Sequence, residues 1–152
     1  MTVHEKFMRR AIRLAGKAKG KTYPNPMVGA IVVKTGKAVG EGYHKKSGLP
    51  HAEILALRKA RGKTKGASLY VSLEPCAHYG KTPPCVNQII KSGIKKVYAA
   101  MKDPNPLVNG KGIKALRKKN IVVNVGICRQ GARRLNRNYI KCLQELLKKQ
   151  GE

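Results

Sequence analysis

The chain has 152 residues, of which 33 are Lys or Arg and only 7 are Asp or Glu, for a formal charge of +26. One domain is expected from that length, and a hydrophobic share of 41% excludes a disordered chain. No apolar stretch reaches the roughly 20 residues of a membrane span and no secretory signal opens the chain, so a cytoplasmic location is expected, where the four cysteines serve as metal ligands or buried thiols rather than disulfides.

In chain order, Thr2-Val3-His4-Glu5 reads as a capping box, followed by Phe7, Met8, Ala11, Ile12, Ala15 and Ala18 at helical spacing. That helix should end near Gly20. Val28–Val33 and Ala38–Tyr43 read as strands joined by a tight turn at Lys34-Thr35-Gly36-Lys37. A helix is expected over His51–Arg61 and a third strand over Ala67–Leu73. Thr82 is placed to cap a helix beginning at Pro83 and ending near Ser92. Val97–Met101 is a fourth strand, Gly110–Lys119 a helix with Asn120 as a left-handed stop, and Ile121–Ile127 a fifth strand. Arg133–Lys149 closes the chain as one helix, with Leu135, Tyr139, Cys142, Leu143 and Leu146 on one side. Strands three to five are each joined through a helix and should be parallel. The expected fold is α/β: a three-layer α/β/α sandwich around a five-stranded mixed sheet with one antiparallel hairpin, in a single domain over 1–152.

The chemistry concentrates in Pro50-His51-Ala52-Glu53, Glu74-Pro75-Cys76 and Pro83-Pro84-Cys85. One imidazole and two thiols suit a zinc ion that keeps its fourth position open for water. A carboxylate beside the histidine can move protons for that water. Residues two apart on a helix point about 200° from one another. At a first turn His51 can therefore lean over the helix end while Glu53 stands beside a substrate, which suits Glu53 as proton shuttle rather than ligand. Open α/β sheets bind ligands beyond the carboxyl ends of their strands. Strand three runs into Glu74-Pro75-Cys76 and strand four into Asp103-Pro104-Asn105-Pro106, so the two loops should share a rim. A single His-x-Glu is common, and two distant cysteines are usually core thiols. The four groups together, in order, at strand ends and helix starts, outweigh that reading. Cys128 and Cys142 read as buried small hydrophobes, and His4 has no functional case.

The excess charge admits a nucleic-acid partner. However, the basic residues run from Lys6 to Lys149 without a dense block, and Phe and Trp are nearly absent. No aromatic stacking platform is visible. Compositional drift toward lysine, with some steering of an anionic small substrate, accounts for the charge better.

The outline is that of a zinc hydrolase acting on an amino-substituted heterocycle, with the H-x-E…P-C signature of base deaminases. Here eight residues, Ala77 to Pro84, separate the two cysteines, where the general signature has two. That insert, together with Asn25-Pro26-Met27-Val28-Gly29, Gly42-Tyr43-His44, Pro50-His51-Ala52-Glu53 and Asp103-Pro104-Asn105-Pro106, resembles the deaminase half of the bifunctional riboflavin-biosynthesis deaminase/reductase, in the cytidine/deoxycytidylate deaminase superfamily. The resemblance runs from the first helix to Leu135-Asn136-Arg137. It implies a cytidine deaminase-like fold with one zinc ion per chain on His51, Cys76 and Cys85, and Glu53 as the catalytic residue. It also implies substrate-binding roles for Asn25, His44, His78, Lys81, Thr82, Asp103 and Asn105. The implied substrate is 2,5-diamino-6-(5-phosphoribosylamino)pyrimidin-4-one, hydrolysed at C2 to the aminouracil and ammonia.

Unlike the bifunctional pattern, residues 1–152 are not expected to contain a reductase domain, and they carry no glycine-rich dinucleotide loop. The reductase step is expected on a separate polypeptide or on a portion cut away. A membrane partner is not expected, and association of copies through the helices or the sheet edge is compatible with the fold. Two other readings use the same residues. An RNA (tRNA) base deaminase is prompted by the charge, but the insert and the diffuse charge speak against it. A catalytically inactive deaminase fold used as a binding module conflicts with the intact His51, Glu53, Cys76 and Cys85 set.

Overall fold

The apolar runs at the start of the sheet pair as their turn residues dictate. β1 (Gly29–Lys34) and β2 (Lys37–Tyr43) form an antiparallel hairpin. Thr35 and Gly36 at its tip both take positive φ, 50° and 77°, which matches the right-handed twist of the flanking strands. The computed structural model describes residues 1–80 and 82–151.

The remaining strands are β3 (Ser68–Val71), β4 (Lys96–Ala99) and β5 (Val122–Val125). The sheet order is β2-β1-β3-β4-β5. β3 runs antiparallel to β1, whereas β3, β4 and β5 are mutually parallel. Strand alternation divides the core between two layers. Ala30, Val32, Leu69, Val71, Val97, Ala99 and Val123 face the layer of α2 (Ala52–Lys59), α3 (Cys85–Ser92) and α4 (Lys111–Lys118). Ile31, Val33, Tyr70 and Tyr98 face α1 (Val3–Gly16), α5 (Arg129–Leu135) and α6 (Arg137–Gln150). This is the expected α/β/α sandwich with a mixed five-stranded sheet. Among the described residues, no helix is long and apolar enough to cross a membrane.

Several boundaries move for identifiable reasons. α1 starts at its Thr2 cap, whose hydroxyl accepts the Glu5 N–H at 3.1 Å. It ends at Gly16 rather than near Gly20, because the chain tightens into successive three-residue bonds such as Lys17 N to Leu14 O and Ala18 N to Ala15 O. β3 stops at Val71, where the Ser72 hydroxyl turns to accept the Gly29 N–H at 3.0 Å. α3 begins at Cys85 with Pro84 as N-cap, so Thr82 does not cap it. The single C-terminal helix is two helices, broken at Asn136. That residue is 2% exposed, and its side-chain amide pairs with both peptide groups of Met27, accepting from its N–H and donating to its carbonyl at 2.8 Å each. Asn120 takes φ 63°, the left-handed stop expected after α4.

Cys142 is exposed and Cys128 half-buried, so neither is a buried core thiol. Cys142 lies on the outer face of α6, and Cys128 sits in the loop entering α5 with φ 57°. His4 is structural: its Nδ1 lies 2.6 Å from the Tyr70 hydroxyl, and its ring stacks on Tyr98 at 4.5 Å.

Candidate metal and substrate site

β3 and β4 deliver their C-terminal loops to one rim, as the parallel pairing requires. Glu74 N donates to Met101 O at 3.0 Å, which sets the Glu74-Pro75-Cys76 loop beside the one that begins at Asp103. Two helices point their N-termini at the same rim. His51 is the N-cap of α2 (φ −71°, ψ 160°), and its side chain makes no capping bond, so the ring is free to lean over the helix end. Cys85 is the first residue of α3. Its N–H donates to Cys76 Sγ at 3.3 Å, an arrangement that favours thiolate.

His51, Cys76 and Cys85 come together: their ligating atoms all lie within 4.8 Å of one another. His51 Nδ1 is 3.1 Å from Cys85 Sγ and 3.8 Å from Cys76 Sγ. Tetrahedral zinc with ordinary bond lengths to sulfur and nitrogen spans about 3.6 Å between those ligand atoms. The donor set and its spacing therefore fit a borderline divalent metal. The hydrogen bond from the Cys85 thiol pulls the Cys76 thiol down to about 4, with the His51 contact adding to it. The same bond pushes Cys85 upward, and the contact with Cys76 raises His51.

Glu53 lies in the first turn of α2 and is 3% exposed. It stands outside the three-residue group but against it, in contact with the Cys85 thiol. Burial pushes its carboxyl up to about 7, against the opposing pull of His51. The side chain borders a cavity of about 400 Å³. The same cavity is lined by Asn25, His44, His78, Thr82, Asp103 and Asn105, six of the seven residues for which the family resemblance implies contact with the substrate. Lys81, the seventh, lies outside the described residues.

Within that set the roles differ. His44 is 2% exposed, and both its ring nitrogens are engaged. Its Nδ1 faces the Pro50 carbonyl at 3.2 Å and so carries the proton, leaving Nε2 to accept from the Asn25 amide at 3.2 Å. Burial lowers its pKa, consistent with that neutral form. His44 thus orients Asn25 and packs edge-on against His51 at 5.1 Å. His78 Nδ1, by contrast, is the buried side-chain polar atom among the described residues that has no hydrogen-bond partner. A second groove of about 500 Å³ between α2 and α3 shares His51 and Thr82 with this cavity. Its other charged lining groups are Arg58, Arg61 and Lys91, and among the described residues it holds no further ligating cluster.

Two parts of the site were not legible as such in the sequence. Glu74 is 3% exposed and accepts four backbone N–H groups: Asp103 and Gly110 at Oε1, Gly112 and Ile113 at Oε2, at 3.0–3.2 Å. It ties the Cys76 loop to the Asp103 loop and to the start of α4. Gly112 is required at that junction, because a Cβ there would lie 1.9 Å from the Pro75 carbonyl oxygen. Gly112→Ala is expected to cost about 1–3 kcal/mol and to lower metal occupancy, since Pro75 precedes Cys76; thermal denaturation and metal analysis check it. The second part is α6, whose Tyr139, Leu143 and Leu146 line the cavity. Their helical spacing places them on one side of the helix but does not show that this side faces a cavity.

Residues 1–101 match the family described as the cytidine and deoxycytidylate deaminase zinc-binding region. The chain is 56% identical over 137 residues to a riboflavin biosynthesis protein RibD of Aquifex aeolicus, covering 90% of this chain and 38% of that protein. It is 50% identical over 135 residues to a diaminohydroxyphosphoribosylamino-pyrimidine deaminase of Buchnera aphidicola, covering 89% of this chain and 92% of the relative. Among solved structures, RibD of Acinetobacter baumannii superposes with a TM-score of 0.91 at 48% identity, over 93% of this chain and 40% of that one. The chain spans less than two fifths of the RibD relative from Aquifex aeolicus, and nearly all of the Buchnera one. With its His-Cys-Cys group at the helix starts and those matches along most of its length, the chain belongs to the cytidine and deoxycytidylate deaminase family, alongside the RibD-type deaminases.

Proposed function

We propose that this protein is a zinc-dependent deaminase of riboflavin biosynthesis, converting 2,5-diamino-6-(5-phosphoribosylamino)pyrimidin-4-one to 5-amino-6-(5-phosphoribosylamino)uracil and ammonia. The observation that carries the reading is the placement of Glu53 against the His51, Cys76 and Cys85 group at the wall of a cavity lined by Asn25, Asp103 and Asn105. His51, Cys76 and Cys85 would hold one zinc ion, which supplies Lewis acidity that brings the pKa of a water to about 7. Glu53 takes the proton of the attacking water, passes it to a ring nitrogen, and protonates the departing amine. Water's oxygen ends on C2 and the amino nitrogen leaves as ammonia, so no redox partner is needed. Asn25, held by His44, and Asn105 offer amide donors and acceptors for a flat polar ring. Lys81, in the insert between the cysteines, is suited to the phosphate.

The deaminase unit is taken as the single domain 1–152, acting in the cytoplasm, with a reductase domain or polypeptide acting on its product. The test is ammonia release from the phosphoribosylaminopyrimidine with and without a chelator. Zinc-supported release that the chelator abolishes is the expected result; release indifferent to the chelator overturns the metal's role, and no release overturns the substrate. Cys76→Ser and Cys85→Ser should each lose bound zinc, checked by metal analysis of the purified variants. Full occupancy in either removes that residue from the ligand set.

A further inference from the structure

The last helix presents a stripe to the substrate side of the site. Asn136, Tyr139, Leu143 and Leu146 are spaced three and four apart, which places them on one face. Each meets the site or a loop beside it. Asn136 clamps the peptide groups of Met27, two residues after Asn25. Tyr139, Leu143 and Leu146 line the cavity itself.

Tyr139 makes the specific contact. Its hydroxyl donates to Asp103 Oδ1 at 2.8 Å. The same oxygen accepts the Asn105 N–H at 3.0 Å, and the Asn105 side chain also contacts the tyrosine hydroxyl. Asp103 is 6% exposed. Burial raises its carboxyl pKa, while the Asn105 N–H and the Tyr139 hydroxyl pull it back down. With Oδ1 anchored on two donors, the carboxylate is fixed against the wall of the cavity it lines. A carboxylate on a loop has two torsions to lose on binding a ligand, and one that is already held loses less.

We propose that Tyr139 is a positioning residue for substrate binding: through its hydrogen bond it presets the Asp103 carboxylate, so that α6 governs the part of the cavity wall that Asp103 forms. The inference rests on the deaminase reading for the identity of the ligand. Tyr139 touches neither Glu53 nor the three candidate ligands in the hydrogen-bond pattern, so its loss should act on binding and not on the chemical step.

The experiment is a double-variant cycle on the full chain, comparing wild type, Tyr139→Phe, Asp103→Ala and the pair, with zinc content measured in each. Tyr139→Phe is expected to raise KM about five- to tenfold with kcat within about twofold and zinc content unchanged. In the Asp103→Ala background, where the tyrosine hydroxyl has lost its carboxylate acceptor, the same change should have little further effect, because residues acting through one contact are not additive. If Asp103→Ala turns over too slowly, equilibrium binding of the phosphorylated aminouracil product to all four proteins reads the same cycle. An unchanged KM in Tyr139→Phe, an equal factor in both backgrounds, or a fall in kcat that follows lost zinc overturns the proposal. Wild-type protein that releases no ammonia overturns the deaminase reading, and this inference with it; an active wild type with an inert Tyr139→Phe overturns this inference alone.

Discussion

Glu53→Gln is expected to leave zinc content unchanged and to lower ammonia release about 10²- to 10⁴-fold. The glutamine keeps the volume and the place in the first turn of α2, but it can neither take up the proton of the attacking water nor deliver it to the leaving amine. Metal content should survive because Glu53 is outside the His51, Cys76 and Cys85 group. The fold should survive because the substitution removes an ionisable group from a position only 3% exposed, where charge is disfavoured. The measurement is single-turnover ammonia release alongside metal analysis and a thermal midpoint. Lost zinc would make Glu53 a ligand or its essential support. Normal turnover would move the proton relay to another group, of which His78 is the unpartnered candidate in the cavity.

What could be read from the sequence was local in origin. Apolar runs with turn residues between them gave the hairpin at Thr35-Gly36 and the three parallel strands, because alternation and strand length are properties of a few neighbouring residues. The clustering of the candidate His51, Cys76 and Cys85 group followed, since His51 and Cys85 sit at helix starts and Cys76 follows a strand, and open α/β sheets put such positions on one rim. The helix-start geometry of His51 was available for the same reason: a residue that caps a helix cannot share the direction of one two places on. What the sequence did not disclose depends on partners far along the chain. The break at Asn136 is set by a peptide more than a hundred residues away, at Met27. With helix formers on both sides, nothing local marks that break. The Tyr139 contact to Asp103 is of the same kind. A tyrosine at a helical spacing beside leucines has the pattern of a core face, and only the closure of α6 over the rim turns it toward the cavity.

Glu74 is the strongest instance, and Glu74→Gln is expected to destabilise the protein by about 3–5 kcal/mol. The carboxylate is buried without a salt bridge among the described residues; backbone donors take the place of a cation. Two N–H groups converge on each oxygen, those of Asp103 and Gly110 on one and of Gly112 and Ile113 on the other. α4 has no side-chain cap of its own, its N-cap being Gly110, so the carboxylate supplies from across the fold what a capping residue ordinarily supplies. A glutamine has one acceptor oxygen. Whichever way its amide is turned, two N–H groups meet an NH₂ and are left buried without an acceptor, and each such group costs about 1–3 kcal/mol. For a chain of 152 residues each kcal/mol lowers the midpoint by about 2–4 °C, so the fall should be roughly 6–20 °C. The damage should reach the site, because Pro75 and Cys76 follow directly and the Asp103 loop hangs on the same carboxylate. Zinc affinity should weaken in Glu74→Gln even where the protein is still folded, whereas Glu53→Gln retains it. Denaturant titration and zinc competition on the two variants check the contrast. A Glu74→Gln protein within about 1 kcal/mol of wild type would mean that water or a neighbouring group takes over the orphaned donors, and that the loop carrying Cys76 is held by other contacts.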